Sequence, residues 1–182
     1  QLGSGGHEIG ERLASRLGYS FFDKELIKLA SAESGLSSDV FERADEKINH
    51  TMFDGIFYMS DNCLRNDALF KIQSDVIREL AEKESSVFVG RCADYILKDY
   101  PGVVSLFISA NIEDRIRRVM GHNDLSENEA RSLLEKTDKK RAAYYNFYSN
   151  KIWGKADSYD LCINSSVLGV DETIDFLYRF VQ

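Results

Sequence analysis

The chain predicts an α/β fold with a parallel sheet covered by helices, and three observations predict it. Short apolar strands alternate with amphipathic helices along most of the sequence. A glycine-rich segment, Gly3-Ser4-Gly5-Gly6-His7-Glu8-Ile9-Gly10, runs straight into a helix carrying Ile9, Leu13 and Leu17 on one face. The 182 residues, 43% hydrophobic and 29% charged with a single proline, fit one globular domain with a continuous core and argue against disorder.

Taken in order, Gly18 stops the first helix and Tyr19 to Phe22 forms a short strand ending at Asp23. A helix is expected over Lys24–Ala30, and another from Ser38 to about Lys47 with Ser37 as its N-cap. Asn49–Asn62 is polar and aromatic without a clear period and reads as a mobile insertion. The stripe Leu69, Phe70, Val76, Ile77 and Leu80 predicts a helix over Asp67–Lys83, which delivers the strand Ser86–Val89 with Gly90-Arg91 at its carboxyl end. The next strand is Val103–Ile108, followed by a helix over Ile112–His122 whose Arg115, Arg117 and Arg118 read as a solvated basic face paired with Glu113 and Asp114. Ser126 with Glu129 forms a capping box that opens a helix through Ala143 or beyond. Leu161–Asn164 is the last strand, and Asp171–Val181 is a closing helix with Ile174, Leu177 and Val181 inward.

Charge and cysteine usage exclude several classes. With 23 basic and 30 acidic residues the net charge is −7, so long nucleic acid is not an expected partner, whereas a small anionic ligand at a local basic cluster remains open. No apolar run approaches bilayer length and no signal peptide is evident, which suits a cytoplasmic protein without a membrane partner. Cys63, Cys92 and Cys162 are odd in number and widely spaced, as expected of buried thiols and not of a disulfide or metal set.

The glycine loop is the outline of a phosphate cradle. Glycines open backbone conformations closed to other residues, and the N–H groups and dipole of the following helix converge on the same spot. A plain turn before a helix looks similar, and the Walker spacing is not met. In open α/β sheets ligands collect at strand carboxyl ends, which adds Asp23, Gly90-Arg91 and Asn164-Ser165 as candidates by position.

The glycine segment, Phe22-Asp23-Lys24-Glu25-Leu26, Val89-Gly90-Arg91-Cys92-Ala93-Asp94-Tyr95-Ile96, Arg141-Ala142-Ala143-Tyr144-Tyr145 and Tyr159 to Ser166 together resemble the cytidylate kinase-like proteins, over nearly the whole chain. These belong to the P-loop nucleoside monophosphate kinases. The resemblance implies a five-stranded parallel sheet in the order 2-3-1-4-5, a nucleotide-monophosphate-binding insertion at about residues 24–66 and a lid at about 124–158. It also implies a hydrophobic strand leading into the phosphate loop, so residues upstream of Gln1 are expected, and an internal omission near Asp61 is open. The implied activity is ATP-dependent phosphorylation of CMP, dCMP or a similar small phosphate acceptor, with Mg2+, by a monomer or homodimer.

By the same resemblance Gly3, Ser4, Gly5, Gly6, His7, Glu8 and Ile9 take the donor triphosphate, Arg118 packs on the donor base, and Asn164 and Ser165 border it. Asp23, Arg91 and Asp94 belong to the acceptor, Arg91 clamping its phosphate, while Asp138 and Arg141 reach from the lid and share the catalytic work with His7 and Arg91. Two departures stand out. His7 replaces the phosphate-gripping lysine, and an imidazole with an ordinary pKa of about 6.5 carries a conditional charge at pH 7. Glu8-Ile9 replaces a small residue and a hydroxyl residue, which leaves the magnesium arrangement open and makes a nucleotide-binding regulator with weakened catalysis the alternative. Blander readings stand beside these: Arg91 as a surface charge, Asp23 as a helix cap, and Tyr144, Tyr145, Phe147, Tyr148 and Trp153 as packing under a lid.

Overall fold

The glycine loop sets the first helix. Gly5 holds φ 79°, a left-handed conformation that suits glycine, and α1 (Gly6–Leu17) starts immediately after it and ends at Gly18, again left-handed at φ 69°. The structure, a computed structural model, describes residues 1–24, 67–122 and 124–182. The helix expected beyond Lys24, the Ser38–Lys47 helix and the Asn49–Asn62 insertion lie outside the described residues, as do His50 and Cys63.

Strand β1 (Ser20–Phe22) follows, then α2 (Asp67–Lys83), β2 (Ser86–Phe88) and the single turn α3 (Ala93–Ile96). Next come β3 (Leu106–Ser109), α4 (Ile112–His122), α5 (Glu127–Ser149), a 3-10 turn at Ala156–Ser158, β4 (Leu161–Asn164) and α6 (Ser165–Val181). The capping box is present at α5: the Glu129 N–H donates to the Ser126 hydroxyl, and the Ser126 N–H donates to the Glu129 carboxylate at 2.9 Å. α4 and β4 take the bounds the sequence predicts, and α2 does likewise.

Among the described residues the strands form two parallel pairs and not one continuous sheet. β1 pairs with β2 in the register Phe21 to Val87, and β3 pairs with β4 in the register Phe107 to Cys162. β3 begins at Leu106, so Val103 and Val104 lie before the strand and are exposed. The last helix begins at Ser165, earlier than periodicity indicated, because Asn164 caps it by accepting the Ser166 N–H. Gly169, at φ 78°, then breaks it, and the long amphipathic segment resumes beyond that kink.

Helix α1 lies against β1 and β2, and α6 lies against β3 and β4. The two helices pack on each other through Ile9, Leu13, Ile174 and Leu177, with Arg12 to Asp171 and Arg16 to Asp175 ion pairs at the rim. Contact between α1 and the first strand pair is tight: a Cβ on Gly10 would stand 2.9 Å from the Val89 side chain and 3.3 Å from Phe21. A second core gathers Ile77, Ala93, Ile96 and Leu97 around Phe22 and Phe88, and a third joins α4 to α5 through Ile116, Val119, Ala130 and Leu134. Among the described residues no helix is long and apolar enough to cross a membrane.

Candidate functional site

At the amino end of α1, the N–H of Ile9 makes the first helical bond, to the Gly5 carbonyl at 2.9 Å. The N–H groups of Gly6, His7 and Glu8 precede it and have no carbonyl one turn back within the helix. The loop behind them is fastened from several sides. Arg115 Nε donates to the Leu2 carbonyl at 2.8 Å, Arg118 Nη1 donates to the Gly3 carbonyl at 3.0 Å, and the Ser165 hydroxyl donates to the carbonyls of Ser4 at 2.7 Å and Ser109 at 3.2 Å. Ser4 itself is buried, with its hydroxyl on the Gln1 carbonyl, and a Cβ on Gly3 would come within 2.8 Å of the Arg115 carbonyl. The loop is therefore rigid from its carbonyl side, with the helix N–H groups left on the other.

The α4 arginines correct the sequence reading. Arg117 is exposed and pairs with Asp114, as expected of a solvated face, but Arg115 is buried and bonded to Asp138 of α5. Asp138 accepts from both Arg115 and the Leu2 N–H, at 2.9 Å for the latter, so both of its oxygens are engaged in holding the loop. A buried ion pair must be well hydrogen-bonded to be tolerated, and this one is. Arg141, one turn further along α5, is half-buried and lies near Gln1. Asn164 bridges to Asn111 through its side-chain amide at 2.9 Å, which joins the ends of β3 and β4.

The side chains of two loop residues are engaged elsewhere. Ile9 is fully buried in the core between α1 and α6, so its side chain offers a ligand nothing. Glu8 is turned along the helix to Arg12 at 3.2 Å, and Arg12, whose pKa is raised first by Asp171 and then by Glu8, links it to α6. His7 is exposed and reaches back to Asp23, Nε2 to Oδ2 3.1 Å, with its ring edge-on to Phe21. That contact ties the start of α1 to the carboxyl end of β1.

The neighbouring strand ends beside it. The Val89 N–H still bonds the Phe22 carbonyl at 2.8 Å, so Asp23 and Gly90 leave adjacent strands, spaced by roughly 5 Å. Gly90, Arg91 and Cys92 then take φ of 84°, 55° and 56° in succession. Two non-glycine residues in the left-handed region cost on the order of 1–2 kcal/mol each, and such strain persists where surrounding structure enforces it. Here the surroundings are aromatic. Arg91 meets the Tyr144 hydroxyl, whose pKa is raised chiefly by burial, and Phe70 lies against Tyr144 and stacks on Tyr148 at 3.9 Å between centroids. Asp94 accepts the hydroxyl of buried Tyr145 at 2.7 Å; burial first and Asp94 second raise the pKa of that tyrosine. Tyr144, Tyr145 and Tyr148 pack with their neighbours around Arg91 and Asp94.

Of the thiols, Cys92 is buried with its pKa pushed up to about 12 by burial, whereas Cys162 is exposed, against the expectation that both are buried. The structure thus brings Gly3, Ser4, Arg118, Asn164 and Ser165 together at the loop, and His7 to Asp23 at the end of β1, while Arg91 lies just past the end of the neighbouring β2 against Tyr144. The loop fits a phosphate: small residues, positive φ and three N–H groups at a helix end. It does not present a protein-side magnesium site, because Ile9 stands buried where a hydroxyl is needed and the described residues contain no cluster of three metal-ligating side chains.

The fold is an α/β scaffold with a glycine loop at a helix start and an arginine just past a strand end. The sequence model of the cytidylate kinase-like family matches residues 1–167, and the chain belongs to that family. Among solved structures it is similar to an uncharacterized protein from Eubacterium ventriosum ATCC 27560, with 29% identity, a TM-score of 0.74 and coverage of 99% of this chain and 92% of that one. No curated protein matches.

Proposed function

We propose that the protein transfers the γ-phosphoryl group of ATP to a nucleoside monophosphate, CMP or dCMP first among candidates. The observation that carries this reading is the 3.1 Å His7 to Asp23 contact, which ties the α1 amino end to the end of β1 beside the strand that leads to Arg91, in a chain of the cytidylate kinase-like family. The two parallel strand pairs also suit it, since they are the pairs that flank the first strand in the order 2-3-1-4-5.

In this reading the Gly6, His7 and Glu8 amides hold the donor phosphates and Arg91 takes the acceptor phosphate with its planar fork of donors. Asp23 sets the position of His7 and faces the acceptor sugar. Arg115, Asp138 and Arg118 act behind the loop by fixing its backbone, so that the amides are already aimed when the nucleotide arrives. Residues 24–66 and 124–158 are the acceptor-binding insertion and the lid, which would exclude water during transfer.

A coupled assay of ADP formation with ATP, magnesium and CMP, dCMP, UMP, AMP or GMP tests the proposal: acceptor-dependent turnover supports it, and ATP binding without turnover on any acceptor refutes it. A specific observation favours the second reading, a nucleotide-binding regulator. His7 is engaged by Asp23 and Ile9 is in the core, so the lysine and hydroxyl of a strong phosphate loop have no counterparts. His7→Lys separates the two, since a large gain in turnover belongs to a weakened kinase and unchanged nucleotide binding without a gain belongs to a regulator.

A further inference from the structure

Gln73 is buried to 1% exposure on α2, and its side-chain nitrogen Nε2 has no hydrogen-bond partner among the described residues. A buried polar group without a partner is uncommon, and it calls for a reason. Its place in the fold supplies one. On a helix, residues three and four apart share a face, so Gln73 lies between Phe70 and Ile77 on one stripe. Phe70 touches Tyr144, which Arg91 meets, and Ile77 packs with Ala93, two residues beyond Arg91. The two neighbours of Gln73 on the stripe therefore bracket the Arg91 corner.

Height along the fold agrees. α2 packs against α3, which follows β2, so the helix doubles back beside the strand. Gln73 stands ten residues before the end of α2, about 15 Å along its axis, while the chain from Ser86 through β2 to Val89 rises about 10 Å. Gln73 thus sits level with, or just beyond, the carboxyl end of β2.

We infer that Gln73 reads the acceptor's base, donating its side-chain N–H to an acceptor atom of a nucleobase held beside Arg91. This rests on the reading of the Arg91 corner as the acceptor site. A neutral carboxamide suits an uncharged base edge, whereas the phosphate has Arg91. A site that waits with an unpaired donor discriminates sharply against ligands lacking the matching atom.

The test compares a nucleotide with its base-free counterpart on the full chain. Isothermal calorimetry gives the affinities of wild type and Gln73→Leu for CMP, UMP, AMP, GMP, ATP and ribose 5-phosphate, with thermal melts alongside. Leucine removes the unpaired donor while keeping bulk, so the variant is expected to melt no lower than wild type. The best-bound monophosphate is expected to weaken by about 10- to 100-fold with ribose 5-phosphate and ATP unchanged. Gln73→Met, unbranched and close in volume, must repeat the loss. Equal weakening of the nucleotide and ribose 5-phosphate, or no weakening of either, overturns the inference while leaving the acceptor site standing. A wild-type protein that binds none of the monophosphates overturns the acceptor site, and this inference with it.

Discussion

The glycine loop and the Arg91 corner face the same end of the molecule but are built by different means. The loop is held by polar groups reaching its carbonyls: Arg115, Arg118 and Ser165 from α4 and α6, with Asp138 closing the set from α5. The Arg91 corner is held by packing, with Tyr144, Phe70 and the Ala93 core enforcing three successive left-handed residues. The difference is one of means: polar bonds to backbone carbonyls hold one region and side-chain packing holds the other. Behind the loop, every charged group at Arg115 and Asp138 is consumed in positioning backbone. At the corner, aromatic rings and the Ala93 core set the backbone that carries Arg91.

That contrast can be broken from either side. The largest effect is expected from Arg91→Ala, which should leave the fold intact and lower turnover by about 1000-fold, read as kcat/KM in the coupled assay. A fall in melting temperature with unchanged turnover would make Arg91 a structural residue. On the loop side, Asp138→Ala leaves Arg115 buried without its partner and should cost about 3 kcal/mol in denaturant unfolding. Gly10→Ala should cost about 1–3 kcal/mol, because its methyl group meets Val89 at the joint between α1 and the strands that carry both regions.

A smaller and pH-dependent effect is expected away from both. Asp160 accepts the Ser105 N–H at 2.7 Å and its hydroxyl at 2.8 Å, which lowers its pKa in the folded state. A depressed carboxylate contributes stability above its unfolded pKa and loses it as pH falls through the folded one. Thermal melts in the acid range should therefore show a shallower loss of stability in Asp160→Asn than in wild type.

The same contrast explains what could be read from the sequence. The loop was legible because its signals are local: glycines, a helix start and a terminal Gly18 are contiguous. The capping box of α5 was legible for the same reason. Arg115 was not, since periodicity assigns an arginine to the solvated face and its partner Asp138 is 23 residues away on another helix. The left-handed run at Gly90-Arg91-Cys92 carries one glycine as a clue and is otherwise imposed by tertiary packing. Gln73 did leave a signal, a carboxamide within the apolar stripe between Phe70 and Ile77, which a reading based on hydrophobic positions alone passes over. Exposure of Cys162 was missed because its strand alternates, with Leu161 and Ile163 less exposed on either side.

The most direct measurement is the coupled assay on wild type and Arg91→Ala, with CMP, dCMP, UMP, AMP and GMP as acceptors. The account predicts ADP formation that depends on a monophosphate acceptor and collapses in the variant while ATP affinity is retained. ATP binding with no acceptor-dependent turnover in wild type would contradict it.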